Sequence, residues 1–240
     1  MRTEQLLELQ LELADRAPQE VLRAAHRLFG DAAAISFSGA EDVVLLAMMR
    51  EEGLNFRVFT LDTGRLHPQT YQFLEKVRQT YAIDLEVMHP DAQELGQFVR
   101  QNGLFSFLRD GHAQCCSIRK VAPLKQILAT VPAWITGQRR DQSPDTRAEV
   151  PLVQLDRNFS TADRPLLKFN PLANWPSRRV WSFIGAAQVP YNPLHEQGFV
   201  SIGCEPCTRA ILPGEHERAG RWSWEESTKK ECGLHAMAKK

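Results

Sequence analysis

The sequence has no excess of either charge, since its 29 lysines and arginines are balanced by 29 aspartates and glutamates. This balance argues against the strongly basic surface of nucleic-acid and membrane-surface proteins, although a local basic groove is compatible with it. No apolar run is long enough to span a bilayer. The N-terminal leucines alternate with Glu and Gln, so the apolar core of a signal peptide is missing too. We therefore predict a cytoplasmic protein without nucleic-acid or membrane partners.

Internal repeats, low-complexity segments and the two common nucleotide fingerprints are also absent. No Gly-Lys-Ser/Thr of a Walker loop follows the first strand, and that turn has one glycine where a dinucleotide fingerprint needs three. Hydrophobic residues are plentiful: they make up 43% of the 240 residues, which is enough to form a sizeable core.

Apolar periodicity alternates between helices and strands along most of the chain. Helices are predicted over residues 3–14, 18–29, 42–53, 68–81, 91–102 and 176–188. Strands are predicted at AAAISFS, FRVFTLD, IDLEVMHP and AWITG, and as a hairpin-like pair at VPLVQLD and LLKFNPLANW. GAED is interpreted as a turn, and the chain from residue 189 onward as mostly loop and tail. This order predicts an α/β fold with a mostly parallel central sheet flanked by helices and a C-terminal tail.

Small and polar residues follow three of the predicted strands. They are Ser36, Ser38, Gly39 and Asp42 in SFSGAED, Leu61 in LDTGRL, and Gly137 in ITGQRRDQS. Backbone N–H groups and hydroxyls at a helix N-terminus favour an anion, and open α/β sheets bind ligands outside their carboxyl ends. The three loops together predict a nucleotide pocket, whereas SFSGAED alone favours an ordinary tight turn.

Three arginines in the last of these loops, Arg139, Arg140 and Arg147, would suit bidentate binding of phosphate or sulfate oxygens. A solvated charged loop is the alternative.

Four of the five cysteines form two close pairs. They are Cys115 and Cys116, adjacent in HAQCCSIRK, and Cys204 and Cys207, the C-x-x-C of GCEPCTRA. Four thiols suit a tetrahedral zinc ion or a [4Fe–4S] cluster, and adjacent cysteines are awkward for zinc. A redox pair at 204–207 and unrelated core cysteines remain open. Arg119 and Lys120 would place positive charge beside an anionic cluster, or would be exposed helix residues.

Cys232 is the remaining thiol and lies in the lysine-rich stretch KKECGLHAMAKK. Arg218 and Arg221 precede it and His235 follows it. Because nearby cations raise the thiolate fraction of a cysteine, Cys232 is either incidental or a reactive thiol.

The motifs SFSGAEDVVL, LDTGRL, CCSIRK, GCEPCTRA, GEHERAGRW and ECGLH resemble, in this order, the assimilatory adenylyl-sulfate (APS) reductases. That family belongs to the PP-loop adenine-nucleotide α-hydrolase-like proteins, and the match runs from about residue 30 to 235. The related 3′-phospho-APS (PAPS) reductases generally keep the terminal cysteine and lack both cysteine pairs. The pairs therefore favour APS as substrate, although some cluster-containing members accept both nucleotides.

The resemblance implies reduction of APS to sulfite and AMP through an S-sulfonated Cys232, with thioredoxin as electron donor. It also implies a [4Fe–4S] cluster on the four paired cysteines. The loop at 36–42 would hold the phosphosulfate, Leu61 and Gly137 would approach adenine through their backbones, and the cations would face the sulfate. The expected substrate-binding set is Ser36, Ser38, Gly39, Asp42, Leu61, Arg119, Lys120, Gly137, Arg147, Arg218, Arg221 and His235.

Two other functions are weighed against this one. A PP-loop tRNA-thiolating enzyme would use ATP and would need a fuller Ser-Gly-Gly-x-Asp-Ser loop and a basic surface, whereas this chain has SGAED and no net charge. A nucleotide-binding iron–sulfur or zinc regulator would not require Cys232. The predicted organisation is one nucleotide-binding domain over 1–215 that includes the cluster, then a segment over 216–240 that carries the catalytic cysteine. A homo-oligomer is compatible with the sequence.

Overall fold

Six strands form one sheet in the computed structural model, which describes residues 3–226. The strands are β1 (Ala34–Ser36), β2 (Arg57–Leu61), β3 (Leu85–Met88), β4 (Ala133–Ile135), β5 (Val153–Leu155) and β6 (Leu167–Phe169). Their order across the sheet is β3-β2-β1-β4-β6-β5. All neighbouring strands are parallel except β5 and β6, which are antiparallel. The predicted mostly parallel sheet and the hairpin-like pair are confirmed.

Helices connect and cover these strands. They are α1 (Thr3–Leu13), α2 (Pro18–Phe29), α3 (Ala40–Glu51), α4 (Pro68–Tyr81), α5 (Ala92–Asn102), α6 (Phe107–Asp110), α7 (Ala113–Cys116), α8 (Ala122–Leu128), α9 (Pro144–Arg147) and α10 (Ser177–Ala186). A π-helical stretch, Ser117–Val121, joins α7 to α8. Short 3-10 helices lie at Gly30–Ala32, Arg140–Gln142, Pro193–Gln197 and Glu205–Cys207. None of the helices within residues 3–226 is long and apolar enough to cross a membrane.

Both faces of the sheet are buried, as is typical of parallel sheets whose crossover helices cover them. Successive side chains of a strand point to opposite faces, so Ile35 and Val58 enter one core while Ala34 and Phe59 enter the other. The first core also contains residues of α1 to α4 and α10, and the second contains residues of α8. This layering brings the carboxyl ends of β1, β2 and β4 to one edge.

GAED is not a turn, because α3 begins at Ala40 with Gly39 as its N-cap. The carboxylate of Asp42 accepts the Gly39 N–H at 2.9 Å and so caps the helix that contains it. Helices α6 to α8 lie within residues 103–132, where no element was predicted for most of the chain.

The part of the C-terminal segment that is described, residues 216–226, packs on the sheet domain. Trp222 is fully buried, and Arg221 forms a β-bridge with Thr208. The boundary at residue 215 stays a prediction, and the remainder of the segment lies outside the described residues.

Candidate active site

A cleft of about 200 Å³ opens at the carboxyl ends of β1, β2 and β4. The loops after these three strands line it, together with residues from the loop at 200–204 and from the segment at 217–221. The three loops that the sequence analysis placed at one sheet edge therefore do meet there. Ligands of open α/β sheets bind at this kind of edge.

Most of the expected substrate-binding residues line this cleft. They are Ser36, Ser38, Gly39, Asp42, Leu61, Lys120, Gly137, Arg147, Arg218 and Arg221. Arg119 instead lines a second cavity, and its Nη1 donates to the Thr63 carbonyl at 2.6 Å. Arg119 therefore does not line the cleft in this arrangement, and its expected contact with the sulfate stays a prediction. Cys232 and His235 lie outside the described residues.

Asp42 organises the first loop of the cleft. Its Oδ2 accepts the Ser38 N–H at 2.8 Å, the Ser38 hydroxyl at 2.9 Å and the Gly39 N–H, and its Oδ1 accepts the Gly137 N–H at 2.9 Å. The sequence predicts that donors of this loop bind an anionic ligand. In the structure they donate to the carboxylate of Asp42. Burial raises the pKa of Asp42 to about 6, because the hydrogen bonds from Ser38, Gly137 and Gly39 only partly offset the loss of solvation.

Gly137 lies where two loops of the cleft touch. A Cβ built on it would stand 2.5 Å from the Cβ of Glu41 and 2.7 Å from Oδ1 of Asp42, closer than side chains pack. Only glycine therefore permits the loop after β4 to approach the N-terminus of α3 this closely.

Arg139 does not face the cleft as a phosphate ligand. It is fully buried, and its guanidinium forms ion pairs with Glu41 at 3.0 Å, with Glu217 at 2.9 Å and with Asp141. Burial raises the pKa of Glu217 to about 7, an effect that Arg139 reduces and Glu41 increases. Burial of Arg139 contradicts the solvated loop, and the partly buried carboxylates of Glu41 and Glu217 already bind the guanidinium that was expected to bind phosphate.

Of the three loop arginines, only Arg147 lines the cleft. Its Nη1 donates to Oε1 of Gln142 at 2.5 Å, and its side chain is buried. Arg140 is exposed, and its Nε donates to the Val150 carbonyl at 2.8 Å.

Arg221 enters the cleft wall past Gly203. A Cβ on Gly203 would overlap the Arg221 guanidinium, so the absence of a side chain there makes room for the arginine. The Nη1 of Arg221 donates to the Ile202 carbonyl at 3.3 Å.

The two cysteine pairs come together in a second cavity. Cys115, Cys116, Cys204 and Cys207 are all buried, carry reduced thiols and line it together with Arg65, Phe107, His112, Arg119, Lys120 and Trp222. They are therefore not unrelated core cysteines. Arg119 and Lys120 are buried as well, which contradicts the alternative that they are exposed helix residues.

The charges around this cavity act on its thiols. Burial would raise the pKa of Cys204, but Lys120, the Thr63 hydroxyl 3.2 Å from its Sγ, and two arginines together lower it. Burial and the neighbouring Cys204 raise the pKa of Cys207 to about 12. The cavity therefore favours the thiolate of Cys204, whereas Cys207 would need a bound cation to ionise.

Three nitrogen donors on the wall of the cysteine cavity have no acceptor among the described residues. They are Nη1 of Arg65, Nε of Arg119 and Nε1 of Trp222, all buried. Unsatisfied buried donors are rare in folded proteins and indicate a missing partner. Within residues 3–226, no three His, Cys, Asp or Glu side chains are arranged to hold a single metal ion.

Lys120 and Cys204 line both cavities and form the wall between them. The Lys120 ammonium also lies 5.8 Å from the ring centroid of Trp222. A charge at this position acts on whatever occupies either side.

Several residues of the two cavities were not singled out from the sequence. Glu41 and Glu217 lay inside quoted motifs, but other residues of SFSGAED and the arginines of GEHERAGRW were singled out instead. His195 lines the cleft, and burial lowers its pKa, but PLHE carries no recognisable signal. Trp222 lay in a polar stretch that gave no reason to expect burial.

Comparisons with known proteins agree with this geometry. The profile of the family described as "Phosphoadenosine phosphosulfate reductase domain" matches residues 32–210. A Pseudomonas aeruginosa protein named adenosine 5′-phosphosulfate reductase is 58% identical over 224 residues, which cover 93% of this chain and 84% of that protein. The chloroplastic 5′-adenylylsulfate reductase 1 of Arabidopsis thaliana is 52% identical over 231 residues, or 95% of this chain and 50% of that protein.

Among solved structures, the phosphate complex of a phosphoadenylyl-sulfate reductase from Candida auris superposes with a TM-score of 0.72. It is 26% identical and covers 88% of this chain and 98% of its own. Yeast FAD synthetase, 16% identical with a TM-score of 0.55, shares the fold. The chain therefore belongs to the phosphoadenosine phosphosulfate reductase family.

Proposed function

We propose that the protein reduces adenosine 5′-phosphosulfate to sulfite and AMP, with thioredoxin as the electron donor, in assimilatory sulfate reduction. The observation that carries the proposal is the wall of Lys120 and Cys204 that the cleft shares with the four-cysteine cavity. Relatives named for this activity, at 58% and 52% identity, support the same substrate.

In the first step, the thiolate of Cys232 attacks the sulfur atom of the substrate's sulfate group. An S–S bond forms, the bond between sulfur and the phosphate oxygen breaks, and AMP leaves with the electron pair. Thiolate and sulfate repel each other, so the step needs positive charge around the sulfate. Lys120, Arg147, Arg218 and Arg221 are cations on the cleft wall that would supply it.

In the second step, a thioredoxin thiolate attacks the Sγ of Cys232. Sulfite leaves with the electron pair of the S–S bond, and a second thioredoxin thiol resolves the mixed disulfide and regenerates the Cys232 thiolate. Both electrons come from the dithiol, which becomes a disulfide, so no other group has to change its oxidation state.

The residues around the second cavity fit a [4Fe–4S] cluster. Four reduced thiols supply the ligand set, and the three unsatisfied nitrogen donors on the wall would have sulfur acceptors. The adjacent pair Cys115 and Cys116 is awkward for a structural zinc ion, which usually draws on C-x-x-C knuckles. When bound, the cluster would supply negative charge beside Lys120 and a rigid link between the two cysteine pairs.

The decisive test is to incubate the iron-loaded protein with APS in the absence of thioredoxin and to measure the intact mass. We expect one sulfonate adduct, located on Cys232 by peptide mapping, and none on a Cys232→Ser variant. No adduct, or an adduct on another cysteine, would refute the proposal. A brown protein with broad absorbance in the violet and about four irons per chain would support the cluster, and a colourless protein loaded with zinc would refute it.

Discrimination between nucleotides is a narrower proposal. We expect APS to outcompete 3′-phospho-APS when both are supplied at equal concentration, and equal turnover would favour a reductase that accepts both. A Cys232→Ser protein that kept full function would favour a nucleotide-binding regulator instead. The cytoplasmic location and any homo-oligomer stay predictions.

A further inference from the structure

The start of the C-terminal segment is attached to both halves of the four-cysteine cavity. We define the segment root as residues 220–225. On one side, the Trp222 N–H donates to the Cys207 carbonyl at 3.1 Å, and the Gly220 carbonyl accepts the Arg209 N–H at 3.0 Å. These hydrogen bonds pair the root with the chain that directly follows the C-x-x-C.

On the other side, Glu225 binds His112, which directly precedes the helix of the adjacent cysteines. Oε1 of Glu225 accepts the His112 backbone N–H at 2.9 Å, and Oε2 lies 2.6 Å from Nδ1 of the His112 ring. The two side chains are 11% and 6% exposed, so this is a two-point contact shielded from solvent. It joins residues that are 113 positions apart in the sequence.

Trp222, between these two attachments, has an unfavourable backbone conformation. Its φ is +41°, a left-handed value that a bulky aromatic residue rarely adopts. The ring is fully buried and stacks on the His112 ring at a centroid distance of 4.2 Å and an interplanar angle of 21°. Such conformations persist where the surroundings over-determine them, and they cluster at functional sites.

We propose that the Glu225–His112 contact is a positioning device that fixes the segment root to both cysteine pairs and thereby holds Cys232 within reach of the cleft. Cys232 lies seven residues beyond Glu225 in the sequence, a span of at most about 25 Å. A fixed root confines the thiol to that radius and raises its effective concentration at the substrate. The inference rests on the proposed function, since it assigns Glu225 a role through the Cys232 nucleophile.

A cluster bound by all four cysteines would link the two halves of the cavity, one with Cys115 and Cys116 and the other with Cys204 and Cys207. The segment root is attached to both halves. The position of the segment root then depends on whether the cysteine cavity is occupied, because the root contacts both halves of that cavity. This gives the cysteine cavity a way to influence the nucleophile without any electron passing through it.

The test compares Glu225→Ala and Glu225→Gln with the iron-loaded wild-type protein. Glu215→Gln is the matched control, because Glu215 directly precedes the C-terminal segment and pairs with the partly exposed Arg209 at 2.8 Å. Three quantities are measured: the single-turnover rate of Cys232 sulfonation at saturating APS, the Kd of AMP, and the rate of Cys232 alkylation by iodoacetamide without nucleotide.

We expect Glu225→Ala to slow sulfonation about tenfold or more and to change the alkylation rate, while the Kd of AMP stays within about twofold. Glu225→Gln keeps the shape and neutral hydrogen bonds, so it should recover most of the rate, and Glu215→Gln should behave as wild type. Equal sulfonation rates for wild type and Glu225→Ala would overturn the inference. An AMP Kd that rises as much as the rate falls would overturn it too, since Glu225 would then act on the cleft.

Should Glu225→Ala fail to fold, Glu225→Asp takes its place, because its carboxylate is one methylene too short to reach both His112 nitrogens. Slower sulfonation than in Glu215→Gln then supports the contact, and equal rates refute it. A wild-type protein without an adduct on Cys232 would refute the proposed function itself. A wild-type adduct together with unchanged variants would refute only the positioning role. Removing iron from the wild-type protein should shift Cys232 alkylation toward the Glu225→Ala rate, and an unchanged rate would refute the coupling.

Discussion

Replacing Asp42 with asparagine should change how the stability of the protein depends on pH. The Asp42 carboxylate is buried at the N-terminus of α3, where burial raises its pKa from 3.8 to about 6. An acid whose pKa is higher in the folded state contributes stability below its unfolded pKa and loses that contribution as pH rises through the folded one. The wild type should therefore lose stability between about pH 4 and pH 6 through this residue.

The magnitude follows from the pKa values of Asp42. A rise from 3.8 to about 6 corresponds to about 3 kcal/mol, because one pKa unit is worth about 1.4 kcal/mol. Asparagine cannot ionise, so the variant lacks this pH-dependent change. It carries a pH-independent penalty of about 1–3 kcal/mol instead, since its NH₂ group faces an N–H donor of Ser38, Gly39 or Gly137 where a carboxylate oxygen stood.

The assay is denaturant unfolding of both proteins, with matched iron content, at closely spaced pH values from 4 to 7.5. The free energy of unfolding of Asp42→Asn minus that of the wild type should rise by about 2.4 kcal/mol between pH 4 and 7, since the rest of the change occurs outside this range. Asp91→Asn is the control, because Asp91 also accepts N–H donors at a helix N-terminus but is exposed. A difference that is flat, or that falls as pH rises, would refute the assignment of burial as the dominant influence on Asp42.

Three further predictions concern the cleft wall. Arg139→Met should lower the free energy of unfolding by about 2–4 kcal/mol, because it leaves the partly buried carboxylates of Glu41 and Glu217 without their cation; a thermal-unfolding midpoint within two degrees of wild type would contradict this. AMP binding should weaken as pH rises through about 7 in the wild type, since Glu217 then ionises next to the anionic nucleotide, and calorimetry should show a flatter pH profile for Glu217→Gln. Gly203→Ala should displace the Arg221 guanidinium and raise the KM for APS about tenfold with little change in unfolding midpoint; an unchanged KM would show that Arg221 does not contact the substrate.

The parts of the fold that could be predicted from sequence are those specified by local periodicity. β1, β2 and β4 are short apolar runs between amphipathic helices, and this pattern is enough for a parallel sheet and for its functional edge. The region of α6 to α8 gave no comparable signal, because two of its helices are only four residues long and a π-helical stretch interrupts the 3.6-residue period.

The roles of single residues within the site depended on distant contacts and were predicted less well. Asp42 was interpreted as part of an anion loop, but one of its oxygens accepts a hydrogen from Gly137, 95 residues away. Arg139 was offered as a phosphate ligand, and its carboxylate partners include Glu217, 78 residues away. A local sequence pattern does not reveal such long-range contacts. The residue types were therefore enough to place Asp42 near the site, but not to predict which residues Asp42 and Arg139 bind.

The balance of charge in the sequence conceals a separation of charge in the fold. The cleft wall contains Glu41 and Glu217, which would repel an anionic substrate, yet Arg139 lies against both and is fully buried. A buried arginine of this kind offsets part of the negative charge of acids that lie at the start of α3 and in the C-terminal segment. The cleft wall also contains four cations, Lys120, Arg147, Arg218 and Arg221. The cleft can therefore attract an anion although the chain as a whole has no net charge. Glu41 and Glu217, which help to balance the site's cations in the overall composition, lie in the same cleft wall as those cations. Arg139 in turn offsets part of the charge of these two acids.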